Sequence, residues 1–270
     1  MAAKNSKKVE PVRKPYLTGS WHGADARKLA LRCMLAGLIL TLVLALSSMI
    51  VSMNSVWLRL LIVLLFEGLC FYYRFMQGGA QGEADVTLGE IMYRRQENGQ
   101  PIASQDRDRC FHKAKGFFAV ALGMLPFFVF TLIYALIAKP VSFTLGALPS
   151  WMSDLRYQTE MGDALQYYNA AGQMGALDVM RVIDRVLILP WVTALSPLGN
   201  SALTLAEKLS PLLIWVAPLG YGFGYLQGVS RRVAVNTGIK EGTQRRERRE
   251  KKALKQRQRQ RQSKQPEQLI

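Results

Sequence analysis

Glu67 is the residue whose type and position could do most chemistry. It falls mid-way through VWLRLLIVLLFEGLCFYYRFM, residues 56–76. That run has the roughly 20 residues needed to cross the hydrocarbon core of a bilayer as a helix. An ionised carboxylate at that depth is costly, so Glu67 must be protonated, paired or beside a wet cavity. Arg74 is seven residues on and Arg59 eight residues back. Each stands about 10 Å or more from Glu67 along a straight helix, so neither is a direct contact. The partner is expected from another helix (a hydroxyl of Thr41, Ser47, Tyr134 or Tyr221) or from another protein. A relay or subunit-docking role competes with a plain interhelical hydrogen bond that fixes packing.

Gly220, Gly224 and Gly228 repeat at four-residue spacing in SPLLIWVAPLGYGFGYLQG. Three positions without side chains then share one helical face, where another helix can approach closely. A phosphate-loop reading of G-Y-G-F-G fails, because no strand precedes it and no lysine follows at the required spacing.

Asp106 to Lys113, DRDRCFHK, gathers carboxylates, a thiol and an imidazole. D-x-D can hold a divalent cation beside phosphates, but one copy next to an apolar run reads first as a solvated face. The other histidine is His22, so no histidine-based metal centre is expected, and no cofactor. No Ser–His–Asp or Cys–His set offers a nucleophile. Cys33, Cys70 and Cys110 match no metal or disulfide spacing and are expected to be reduced.

The tail carries Arg245, Arg246, Arg248, Arg249, Lys251 and Lys252 within one short stretch. A helix there would be polar all round and could not dock by an apolar stripe. Near-surface charges of this kind attract an anionic lipid leaflet at about 1 kcal/mol each. The same charge suits an acidic protein or the phosphates of RNA, including ribosomal RNA, but the lack of aromatics argues against base stacking.

The elements that must position these residues follow from composition. Half the residues are hydrophobic, yet mean hydropathy is only +0.07, because charge is segregated into blocks between apolar runs. This reads as an all-α, polytopic membrane protein with four transmembrane helices and short amphipathic helices. A basic arm (1–28) precedes a hairpin of two spans, 29–51 and 56–76, with a break over Ser52 to Ser55. The length of the basic arm and of the apolar run argues against a cleaved leader. Residues 77–115 form a loop, in which GGAQG is expected to be a flexible linker. Thr87 and Glu90 have capping-box spacing, which predicts an amphipathic helix over 88–97 stopped by Asn98-Gly99. A further helix is expected to start near Ser104 and run into the third span, 116–138, kinked at Pro126.

Residues 139–208 are expected to lie along the membrane as short helices. One pattern starts near Ser150, with Trp151, Leu155, Met161, Leu165 and Tyr168 apolar. A second, over 175–187, puts Leu177, Met180, Ile183 and Leu187 on one side and Asp178, Arg181, Asp184 and Arg185 on the other. Residues 186–199 are short for a span and contain Pro190 and Pro197, so they read as interfacial or re-entrant. The fourth span is 209–228, kinked at Pro218, and 229–270 is the basic tail.

Charge sets the orientation. Residues 1–32, 74–115 and 229–270 together hold 29 Lys/Arg against 12 Asp/Glu, whereas 139–208 hold 5 against 6. The positive-inside bias puts both termini and the 77–115 loop in the cytoplasm. The expectation is a non-enzymatic structural or assembly component of a membrane complex, in the plasma membrane if the source is bacterial. Its partners would be anionic lipids, and a membrane protein or a cytoplasmic partner. A transport or insertion factor built on Glu67 is the alternative. A lipid-modifying enzyme using Asp106 and Asp108 is the third.

Overall fold

A computed structural model describes residues 10–50, 55–139 and 175–262 of the chain. The Ser47 side chain and the pattern expected from Ser150 to Tyr168 lie outside the described residues and side chains. Every regular element among the described residues is helical. They are α1 (Ala24–Ile50), α2 (Val56–Glu97), α3 (Ser104–Arg109), α4 (Lys115–Ile137), α5 (Ala176–Leu187), α6 (Leu189–Leu195), a 3-10 turn (Ser196–Leu198), α7 (Asn200–Leu213), α8 (Val216–Leu226) and α9 (Gly228–Gln262). Four segments are long and apolar enough to cross a membrane: Ala24–Leu46, Val56–Glu97, Lys115–Ile137 and Asn200–Leu226. Their outer faces carry exposed leucines such as Leu35, Leu42, Leu65, Leu69, Leu132 and Leu136. An apolar exterior of that extent is what a bilayer solvates and water does not.

The largest departure from expectation is α2. Residues 77–97 are not a linker followed by a separate helix; they continue the second span as one helix of 42 residues, Val56–Glu97. At 1.5 Å per residue it is about 63 Å long, twice the thickness of the hydrocarbon core. Glycine costs about 1 kcal/mol relative to alanine in a helix. Here Gly78, Gly79 and Gly82 are buried against the α8–α9 segment, and that packing sustains the helix. The capping box does not form: the Thr87 hydroxyl donates back to the Glu83 carbonyl within the helix, at 2.8 Å. The helix ends at Asn98, followed by Gly99 at φ +71°.

Two other boundaries shift for local reasons. The helix near Ser104 is only α3; it stops at Cys110, and α4 starts afresh at Lys115. The fourth span is two helices, α7 and α8, broken at Ile214–Trp215. Pro218 has no N–H to give the Ile214 carbonyl, and its ring crowds that carbonyl, which accounts for the break.

α2 and α8 share the largest interface, running side by side in the same direction, and α1 packs on α4. Leu29, Cys33, Ala119, Val120, Met124 and Tyr221 form the central core. Over residues 10–23 the arm is held against the helices. It lies across the bundle, with Leu17 N–H on the Gly89 carbonyl (3.0 Å) and Gly19 N–H on the Phe111 carbonyl (3.0 Å). Val12 N–H donates to Thr237 Oγ1 at 3.0 Å. These contacts define an arm end, where α3 and the starts of α4 and α9 also meet. α5, α6 and the first turns of α7 make the far end. α5 is turned inside out for a soluble helix: Leu177, Val179, Val182, Ile183 and Val186 are exposed, while Asp184 is fully buried.

Candidate functional site

The glycine face is the most constrained surface. A Cβ at Gly220 or Gly224 would strike the backbone carbonyls of Phe71 and Phe75, and one at Gly228 the backbone of Gly82. The register is reciprocal: a Cβ at Gly78 or Gly82 would strike the carbonyls of Tyr221 and Tyr225. Backbone cannot swing aside as a side chain can, so either helix must move off the other. The glycines of the fourth span therefore meet a second glycine row on α2, one that the linker reading of GGAQG concealed.

Glu67 is buried and lines a cavity of about 50 Å³ whose walls include Thr41, Leu44, Met124, Ile188 and Pro218. At roughly 10–15 Å³ per water centre, that volume is large enough for a few water molecules. Among the described residues the partner of Glu67 is not Thr41, Tyr134 or Tyr221 but the backbone of Ala217. Ala217 is in the first turn of α8, where N–H groups lack partners within the helix and the dipole favours an acid. Thr41 donates instead to the Gly37 carbonyl, and Tyr134 to Glu207. Arg59 reaches the far end, where Nη1 donates to the Thr193 carbonyl at 3.3 Å. Arg74 is buried at 2% exposure, bonded to Gln77 (2.8 Å) and lying over the Tyr221 ring at 5.1 Å. Its Nε and Nη2 have no hydrogen-bond partner among the described residues. The three intramembrane candidates thus occupy separate places and do not form one site.

Two buried charge clusters hold the ends together, and sequence reasoning missed both. At the arm end, Lys115 is wholly buried, with Asp25 at 2.7 Å and Asp85 at 3.1 Å. The carbonyls of Asp108, Arg109 and Cys110 complete its surroundings at 3.1–3.5 Å. Asp85 also accepts from the Tyr225 hydroxyl and from Gln81. The DRDRCFHK stretch therefore serves Lys115 through its backbone, while Asp108 accepts from the Ser20 hydroxyl. Burial, the largest influence, pushes the Cys110 thiol up.

At the far end Glu207, 1% exposed, takes Arg185 at 2.7 Å and Arg181 at 3.7 Å. The Tyr134 hydroxyl donates to Glu207 (3.0 Å) and accepts from Arg181 (2.9 Å). Next to it Asp184 is fully buried, and neither of its oxygens finds a hydrogen-bond donor among the described residues. Ser210 lies beside it but donates to the Glu207 carbonyl at 2.8 Å. Burial above all, helped by the Glu207 charge, pushes the Asp184 carboxyl up to about 7. In its neutral form Asp184 is itself a donor, which suits the lone pairs of Ser210.

The tail is a helix. α9 runs 35 residues with 13 Lys/Arg against 3 Asp/Glu. Arg245, Arg246, Arg248, Arg249, Lys251 and Lys252 all lie on its exposed stretch. No group of metal-binding side chains occurs among the described residues.

These features define a class: an all-helical protein with four membrane-crossing segments, as an integral membrane protein requires. Compared with protein-family models, with curated proteins and with solved structures, the chain finds no match.

Proposed function

We propose that this protein is a non-enzymatic structural component of a membrane assembly, oriented with both termini in the cytoplasm, whose basic tail grips an anionic surface or a cytoplasmic partner. The observation that carries this reading is α9. Its root is clamped to α2 by the Gly82–Gly228 contact, by Arg232 on Glu90 (2.9 Å) and by Arg231 over Phe75 (5.9 Å). Beyond Gly238 the helix leaves the bundle and is exposed and basic on every side. A rod with no apolar stripe engages by charge. The charge-bias argument and the outward apolar face of α5 support an orientation with α5 at the outer surface, lying against lipid.

The test is photo-crosslinking in living cells from a probe at Arg248, with purification in mild detergent. The expected result is one defined membrane or cytoplasmic partner, or anionic lipid alone, lost when Arg245, Arg246, Arg248 and Arg249 are all changed to Gln. Products unaffected by those changes would sink the proposal.

The cavity beside the buried Glu67 favours a second reading, a transport or insertion factor. Glu67→Gln keeps the shape and removes the charge. Loss of cellular function with normal folding and unchanged crosslinks would make this the better reading; full function would end it.

A further inference from the structure

A second cavity, of about 430 Å³, opens beside the root of the tail, between the arm, α2 and α9. Its cations are Arg13, Lys14 and Arg232, and its one acid is Glu90; Tyr16 and Val86 supply apolar wall. The acid is already engaged. Glu90 Oε2 accepts from Nε and Nη2 of Arg232 at 3.1 and 2.9 Å, and Oε1 accepts from Asn236 Nδ2 at 2.9 Å. Asn236 Oδ1 in turn accepts from Lys14 Nζ at 3.2 Å. Glu90 and Asn236 are both buried, so two of the three cations are set by an interior frame, not free on the surface.

All three cations line the cavity and keep unengaged donors. Arg13 has no hydrogen-bond or ion-pair partner among the described residues, Lys14 keeps two of its three N–H donors, and Arg232 keeps Nη1. Three cations brought together from two chain segments around a single acid leave a formal surplus of two positive charges. Like charges so placed repel unless an anion joins them. Arginine and lysine donors converging on one room suit a group with several acceptor oxygens and a full charge, which is the chemistry of phosphate. The apolar wall beside the charges leaves space for the carbon skeleton attached to it.

We propose that this cavity binds a phosphate-bearing anion through Arg13, Lys14 and Nη1 of Arg232. The phosphate is that of a phospholipid headgroup or of a soluble phosphate compound. The site is separate from the exposed tail charges and does not depend on what they grip.

The experiment uses full-length protein, stripped of lipid in a nonionic detergent, with Arg245, Arg246, Arg248 and Arg249 changed to Gln to remove diffuse attraction by the tail. Phosphatidylglycerol, phosphatidylcholine, glycerol 3-phosphate and inorganic phosphate are titrated separately, and binding is followed by native mass spectrometry and calorimetry. One saturable site is expected. Arg13→Gln with Lys14→Gln should weaken it about tenfold, and Arg13→Gln alone severalfold without altering the melting temperature. Glu90→Gln removes the only acid and should tighten binding severalfold, a gain that a purely structural residue would not give. Should Glu90→Gln fail to fold, Arg13→Gln alone, which breaks no internal bond, decides. Displacement by inorganic phosphate assigns the site to soluble phosphates; binding of phosphatidylglycerol alone assigns it to a headgroup. No saturable binding of any probe, or wild-type binding by the arm variant, overturns the proposal.

Discussion

The two ends of the bundle solve the same problem in opposite ways. At the arm end a buried cation, Lys115, is ringed by two carboxylates and three carbonyls. At the far end a buried anion, Glu207, is ringed by two guanidiniums and a phenol. The first has more acceptors than an ammonium has protons, and every group in it is engaged. The second carries an extra acid, Asp184, that no described donor serves. One is therefore a closed joint, and the other a joint whose charge follows proton concentration near neutrality. Removing one partner of a buried pair usually costs more than the pair contributes, because the survivor is stranded. The comparison can be broken or sharpened on that ground.

The largest effect is expected from Lys115→Met. It strands Asp85 and leaves three carbonyls unserved, and should lower the apparent unfolding free energy in detergent by about 3–5 kcal/mol. Replacing Asp85 by Asn in the same chain should recover part of that loss. A variant that melts with the wild type would show the arm-end cluster to be idle.

Asp184→Asn comes next. The folded protein holds the Asp184 proton up to about pH 7, while the unfolded chain releases it near 3.8. Between those values the folded state binds more protons, so stability from this group falls as pH rises from about 4 to about 7, and is level above. The charged groups that face it are Glu207 on α7 and Arg185 on α5 itself. The variant should abolish that slope, on the order of 4 kcal/mol across the window. Melting curves from pH 4 to 8 decide it, and an unchanged slope would remove the distinction between the two ends.

Asp25→Asn should have the smallest effect. Asp25 is partly exposed, and Lys115 keeps Asp85 and the three carbonyls without it. About 1 kcal/mol is expected. A loss as large as that of Lys115→Met would mean the cluster is not redundant.

Why sequence found the spans and missed the clusters is a matter of range. Apolar runs of about 20 residues announce themselves locally, and all four were legible, as were an interruption of the fourth by Pro218, which falls at Ile214–Trp215, and the stop at Asn98-Gly99. Lys115 stands at the edge of an apolar run, where a lysine ordinarily marks the membrane boundary. Nothing nearby in sequence says that Asp25 and Asp85, tens of residues away, enclose it. Glu207 and Arg185 have the same long-range dependence. The GGAQG stretch misled for a related reason: glycine weakens an isolated helix, and only a second glycine row 140 residues on turns that weakness into contact. In α5 no local signal says that Asp184 turns inward while Leu177 and Ile183 stay exposed.

The parallel course of α2 with α8 and α9 has a mechanical consequence. Only Gln227 separates α9 from α8, and the first turn of α9 is wedged against Gly82, well inside a 42-residue helix. Its 35 residues span about 52 Å. Force applied near Gln260 acts on the clamp at Gly228 with a moment arm several times the width of a helix. The tail is then a lever whose fulcrum is a glycine contact, and its load is the same helix that places Glu67 beside its cavity.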